Sequence, residues 1–267
     1  MNAIYEYILA GFMMFVMLVA LHSNLQTLIS DTTALIMQED YNMAESLIDM
    51  ILLSPGNPPD WSSTNPVLFG LAAQETIDTY VLDPKKVIRL DEGYNGSSYI
   101  SPGELRSLLG LTSDINLIIR ISPIFPISIQ PQGNGKYEII VTNHKGVTIA
   151  NVNVTGYYVP ESLGSSSEWS QEQNITDIDG SCTLKFNQTD DYVLVVCADL
   201  VGVKTMQTYP PYLRVRVEGG QVIQSDVPLI TNINYTSGSF FGLNTDSAAR
   251  YVEIDGFTYY FELEVWR

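Results

Sequence analysis

Few residues of this chain are equipped for chemistry, and their spacing limits what they can do. There are two histidines, His22 and His144. His22 closes an apolar run and reads as an interfacial or packed histidine. His144 sits in Asn143-His144-Lys145-Gly146 and reads as a hairpin turn. No GxSxG, HExxH, CxxC or phosphate loop is present, so no catalytic residue and no cofactor are expected, and the chain does not read as an enzyme. Asp177 and Asp179 before Gly180 supply oxygen atoms of the kind calcium takes. The loop lacks the further acids of an EF-hand, so an Asx turn leading into a strand is the better reading, and no metal site is expected.

Cys182 and Cys197 lie on two strand-like runs. A tight turn at Thr189-Asp190 would place them opposite each other in an antiparallel pair, close enough for a disulfide. The bond is expected, with two buried free thiols as the alternative. Asparagines in N-x-S/T sequons stand at Asn95, Asn153, Asn174, Asn187 and Asn234. All lie beyond residue 90, as an N-glycosylated, extracytoplasmic body would have them.

The chain is organised around its N-terminal stretch. Between Ile4 and Leu21 only Glu6 is charged. Such a run can span a bilayer as a helix, which needs roughly 20 residues. Neither proline nor glycine occurs from His22 to Leu53, and apolar residues recur at helical spacing at Leu25, Leu28, Ile36, Met43, Leu47 and Ile51. The stripe weakens at Thr32-Thr33 and Glu39-Asp40. Ser54-Pro55-Gly56 ends it. One continuous helix from about residue 3 to 53 is therefore expected, about 75 Å long. Its outer half would leave a hydrocarbon core of about 30 Å still carrying an apolar stripe. Glu6, inside the apolar run, and Gly11, which permits close helix approach, join the stripe as assembly residues. No Lys or Arg precedes Lys85, so the usual basic flank of a membrane helix is missing. Residues 1–21 do not read as a conventional cleavable signal.

The formal charge is −17, from 13 basic and 30 acidic residues. This argues against nucleic acid as a partner, since phosphates need basic patches. After a linker at residues 54–66, with Trp61 placed to anchor it, residues 67–130 read as an α/β connecting region. It contains two short helices started by Asp83-Pro84 and Ser101-Pro102-Gly103-Glu104. Residues 131–267 read as a β-sandwich of short strands. Gly219-Gly220 and Asp255-Gly256 mark hairpins, and Pro160 to Gln173 reads as an exposed loop. The fold class is α+β: one long N-terminal hydrophobic helix followed by a mainly β, Ig-like body.

Two resemblances follow from the order of segments. The apolar helix runs into Leu53-Ser54-Pro55-Gly56-Asn57-Pro58-Pro59-Asp60-Trp61. Phe69-Gly70-Leu71-Ala72, Leu82-Asp83-Pro84-Lys85-Lys86-Val87 and Leu105 to Leu111 come after it. This order resembles archaeal surface proteins of the type IV pilin-like kind. The resemblance implies that the helix is a membrane anchor before assembly and a filament core afterwards, and that Glu6 matches the acidic residue such helices carry. Residues 135–209, with Gly135 to Thr142, Gly146 to Val154, Thr176 to Gly180 and Asp191 to Ala198, are similar to carboxypeptidase-regulatory or transthyretin-like sandwich modules. That likeness implies a structural or adhesive domain.

The expected function is a subunit of an extracellular pilus-like filament, bundling with copies of itself through the helix and carrying N-linked glycans outside. The rival is a single membrane-anchored surface protein whose sandwich binds carbohydrate, protein or an S-layer. On the filament reading, exchanging Leu47 and Ile51 for Asp abolishes filaments and leaves the body folded.

Overall fold

The apolar spacing between Met43 and Leu53 makes a helix, and its covered face belongs to the β body. In the computed structural model, helix α1 spans Met43–Leu53 and buries Ala44, Leu47, Ile48, Ile51 and Leu52. This i, i+3, i+4, i+7 pattern marks a helix with one face on a core. The structure describes residues 43–267 except 75–77, 95–97, 161–169, 188–191, 212 and 239–244. Before residue 43 it describes Met14, Met17, His22 and Gln26, each helical and exposed. The chain forms two units, Met1–Met43 and Ala44–Arg267.

The expected fold class is thereby corrected. The described chain is mostly β, and the long hydrophobic helix over residues 3–53 is not present in it. No helix among the described residues is long and apolar enough to cross a membrane. The reason lies in what periodicity measures. A repeating apolar position records that a side chain is covered, not by what. Leu47 and Ile51 were expected on an assembly stripe, and they are covered by their own body, at 8 % and 0 % exposure.

The remaining elements follow in order. They are β1 (Val81–Leu82), α2 (Pro84–Val87), α3 (Pro102–Leu108), β2 (Asn116–Pro123), β3 (Ile127–Gly133), β4 (Lys136–Val141) and β5 (Asn153–Pro160). Then come β6 (Ser170–Ile175), β7 (Ser181–Lys185), β8 (Tyr192–Leu200), β9 (Val203–Tyr209), β10 (Val215–Glu218), β11 (Gln221–Gln224), β12 (Ile233–Ser237), β13 (Thr245–Ile254) and β14 (Phe257–Trp266). Both short helices start as their sequences dictate. The Asp83 carboxylate accepts from the Lys85 N–H and the Ser101 hydroxyl from the Glu104 N–H, each followed by proline in the first turn.

Five strands form one sheet in the order β1-β13-β14-β2-β12. β1 runs parallel to β13, and the other pairings are antiparallel. Along β14 the period-two face Phe257, Tyr259, Phe261, Leu263 and Val265 is buried throughout. The turn into it, Asp255-Gly256, has φ 53° and 81°, the left-handed pair a two-residue hairpin requires. Helix α1 is tied to β13: the Ala44 N–H donates to Asp246 Oδ2 at 2.8 Å, and the Arg250 guanidinium pairs with Glu45 and, at 3.4 Å, with Asp49.

A sandwich makes up the second β region. A three-stranded sheet, β3-β4-β7, faces a four-stranded sheet, β6-β5-β8-β9. Ile139, Val141 and Leu184 from the first interlock with Val154, Leu194 and Val196 from the second. Gly156 of β5 makes the approach possible, because a Cβ there would lie 2.5 Å from Leu184 Cδ1. β10 and β11 form a separate hairpin over Gly219-Gly220. Strand β5 begins only at Asn153, since residues 147–152 carry the chain from one sheet to the other. The expected loop from Pro160 to Gln173 gives way to β6 at Ser170.

Candidate functional site

The structure separates the two cysteines. Cys182 lies on β7, paired with Ile139 of β4, and Cys197 on β8, paired with Thr155 and Met206. The two runs are not hairpin partners; they belong to opposed sheets. Cys182 points into the sandwich core with Leu184. Cys197 is out of phase with Leu194, Val196 and Ala198, so it faces the other side of β8. The expected disulfide is therefore corrected, and both cysteines are free thiols. The turn at Thr189-Asp190, on which the pairing rested, lies outside the described residues.

Burial pushes the Cys182 thiol up to about 11 and the Cys197 thiol up to about 12. Burial also raises the Tyr235 and Tyr259 phenols, whose hydroxyls donate to Ile100 O (3.0 Å) and Ile230 O (2.9 Å). The unfolded thiols ionise near 9.0, so the folded state keeps protons that the unfolded state releases above that pH. The stability these two thiols contribute is full below pH 9 and is lost as pH rises through about 11 for Cys182 and about 12 for Cys197. The expected result is a chain whose two thiols resist an aromatic disulfide reagent at pH 8 and both react in denaturant, with a urea midpoint that drops above pH 9. A thiol titre near zero in denaturant would contradict the free-cysteine assignment.

Of the assembly residues expected from sequence, Glu6, Gly11, Leu25, Leu28 and Ile36 lie outside the described residues. Met43 is half-buried at the start of α1. Met14 and Met17, in the apolar run, are helical and 66 % and 70 % exposed. Of the sequon asparagines, Asn95 lies outside the described residues, and Asn153, Asn174, Asn187 and Asn234 are all exposed on the body. The Asp177-Asp179-Gly180 segment forms the Asx turn read from sequence. Asp177 Oδ1 accepts from the Asp179 and Ser181 N–H groups, both at 3.0 Å. His144 lies in its turn and stacks on Tyr260, with centroids 4.7 Å apart and planes 12° apart.

One end of the sandwich presents apolar side chains to water. Asn153 pairs with both Ile175 and Asp199, which brings the β6–β7 and β8–β9 turns to the same end. Ile175, Ile178 and Val201 stand there at 56 %, 89 % and 94 % exposure. Val201 is β-branched and has φ 54°, a backbone region costing such residues about 1–3 kcal/mol. These aliphatic side chains at one end of the sandwich are open to solvent.

Sequence reasoning did not find the buried cation cluster that fastens the loop after α1. Trp61 is fully buried, and its indole N–H donates to Pro55 O (3.1 Å) and Gly70 O (2.9 Å). Arg89 stacks over its ring at 5.0 Å, and Lys86 Nζ lies 5.9 Å from the ring centroid. Lys86 Nζ donates to Pro55 O and Ala72 O at 2.9 and 3.0 Å, and Arg89 Nη1 to Trp61 O and Thr64 O at 2.7 and 2.6 Å. Desolvation lowers the pKa of both cations. The hydrogen bonds of Lys86 Nζ and Arg89 Nη1 go to backbone carbonyls of residues 55–72, and Arg89 Nε donates to Ser98 O, so the cluster does structural work. Trp61 as a loop anchor was legible from sequence. Which of Lys85, Lys86 and Arg89 turns inward was not.

Among the described residues no group of three or more His, Cys, Asp or Glu side chains is arranged to hold a metal ion. Comparison with known proteins finds no family model, no characterised protein and no solved structure that matches this chain.

Proposed function

We propose that this chain is a structural subunit of an extracellular, type IV pilus-like filament of an archaeon. It assembles with copies of itself through its apolar N-terminal segment and exposes a glycosylated β body for adhesion or surface contact. The observation that carries this reading is the run Ile4–Leu21, in which Glu6 is the single charge. So much apolar surface requires a nonaqueous partner, at about 25 cal/mol per Å² removed from water. A membrane meets the need before assembly, and other copies meet it afterwards. The acidic exterior keeps the bodies soluble and mutually repelling, and the aliphatic turn tips at Ile178 and Val201 give the body a contact surface.

A second reading has a specific observation in its favour. Because α1 is covered by its own body, residues 43–53 need no partner copy. A membrane-anchored surface protein, held by the same apolar segment and binding carbohydrate, protein or an S-layer, is then the alternative. One double substitution tests the assembly role of the apolar segment. Met14→Asp with Met17→Asp is expected to reduce filaments at the cell surface to a tenth or less, as buried charge costs several kcal/mol per group, while the far-UV spectrum of the body is unchanged. Filaments of normal abundance with the doubly substituted chain would remove the assembly role from this segment.

A further inference from the structure

The sequons differ from one another in a way their sequence does not show. An N-glycosyl transfer forms a bond between the Asn Nδ2 and the anomeric carbon of a sugar. It breaks that carbon's bond to a lipid diphosphate, which leaves with the negative charge, and the amide proton goes to a base of the transferase. The transferase must grip the whole Asn-x-Ser/Thr tripeptide, the hydroxyl included, so the tripeptide has to come free of its own hydrogen bonds. Three sequons have every residue described, and none is free.

Asn174 is the most firmly held. Its Nδ2 donates to Thr183 O of β7 at 2.9 Å, and its Oδ1 accepts from the Ile175 N–H at 2.9 Å. The Thr176 hydroxyl, in a residue 2 % exposed, donates to Ile149 O at 2.8 Å and accepts from the Val152 N–H at 2.9 Å. The reacting nitrogen is thus spent in tying β6 to β7 of the opposed sheet, and the recognised hydroxyl in holding the segment that crosses between the sheets. Asn153 lies on β5, which has a partner strand on each side, with Val154 inside the core between Asn153 and Thr155. Asn234 lies on β12 against Arg120. The middle residue of its sequon, Tyr235, is 2 % exposed, and its hydroxyl donates to Ile100 O.

We infer that Asn153, Asn174 and Asn234 accept a glycan only on the unfolded chain, so that a glycan found at any of them was attached before the β body closed. The side chains are exposed, and the tripeptides are not available. This deepens the glycosylated-subunit reading and rests on it, since it assigns the order of modification and folding for the same asparagines.

The test uses the full chain, produced without glycans, refolded in detergent and carrying an Asn-Ala-Thr sequon appended after Arg267 as an internal standard. Native and urea-unfolded samples are given an N-glycosyltransferase active in dilute urea and a lipid-diphosphate glycan, and site occupancy is read by peptide mass spectrometry. In the native sample the appended sequon is modified, and occupancy at Asn153, Asn174 and Asn234 is lower by about tenfold or more than in the unfolded sample, because opening a core ladder is rare. A Thr176→Ser chain keeps the hydroxyl and behaves in the same way. A destabilised but folded chain, Tyr235→Phe, gains occupancy at Asn234 before it gains any at Asn174. Equal native and unfolded occupancy at Asn174 relative to the standard would overturn the inference. Absence of glycan from the protein isolated from its own cells would instead overturn the glycosylated-subunit reading, and it leaves this comparison standing.

Discussion

Replacing Ile51 by Asp should unfold the β body. Ile51 is fully buried on the inner face of α1, and its carbonyl accepts from the Leu71 N–H at 2.8 Å, joining the helix to the loop that Trp61 fastens. The substitution removes a buried aliphatic side chain and puts a carboxylate among Ile48, Leu52 and the core beneath them. The lost packing alone costs 2–5 kcal/mol by the usual range for large-to-small changes, and a carboxylate without a partner adds several more. Against a typical stability of 5–15 kcal/mol, most of the fold is gone. Leu47→Asp, at 8 % exposure, has an edge from which its carboxylate can reach water, so a smaller loss is expected. Urea titration followed by near-UV circular dichroism reads both. The sequence-based expectation was that both changes spare the body and abolish assembly alone. A wild-type urea midpoint for Ile51→Asp would restore it and show that α1 is not part of the body.

Trp61→Ala is expected to be the second most damaging change. The indole fills a site with Phe69 at a centroid distance of 5.6 Å, covers Arg89 and gives its N–H to two carbonyls. Truncation costs about 3–5 kcal/mol for the cavity and leaves Pro55 O and Gly70 O short of a donor. Pro55 O keeps Lys86 Nζ, so Gly70 O loses more. Trp61→Phe separates the two contributions. It retains most of the ring and drops the N–H, so a loss of about 1–3 kcal/mol is expected. Protease cleavage within residues 54–72 should accelerate in the alanine chain far more than in the phenylalanine chain. Equal cleavage in the two would mean that the hydrogen bonds, and not the ring, hold the loop.

What could be read from the sequence depended on whether local pattern or distant pairing decided the outcome. The β14 face from Phe257 to Val265, the Asp255-Gly256 turn, the Asp83 and Ser101 caps and the Asx turn at Asp177 are local, and all appear as their residues dictate. Strand β6, Ser-Gln-Glu-Gln-Asn-Ile, is an edge strand exposed along most of its length, so it shows no apolar alternation. In β9, Thr205 faces the core and gives its hydroxyl to Phe125 O, so an inward position is polar and the period is disguised. β12 does alternate, with Ile233, Tyr235 and Ser237 buried, and that signal was available. The cysteines failed for a different reason. Each run was correctly a strand, but β7 pairs with β4 and β8 with β5. Nothing local marks the crossover between sheets that turns Cys182 and Cys197 away from each other. The α1 stripe failed likewise, since a covered face does not name its cover.

The most direct measurement of the central proposal is electron microscopy of material sheared from the cell surface, with mass spectrometry on the same fraction. The filament account predicts thin filaments in which this chain is a principal component, with peptides from residues 4–21 protected from protease within intact filaments and the β body on the outside. A chain that remains in the membrane fraction, with no filament carrying it, would contradict that account and favour a surface protein anchored one copy at a time.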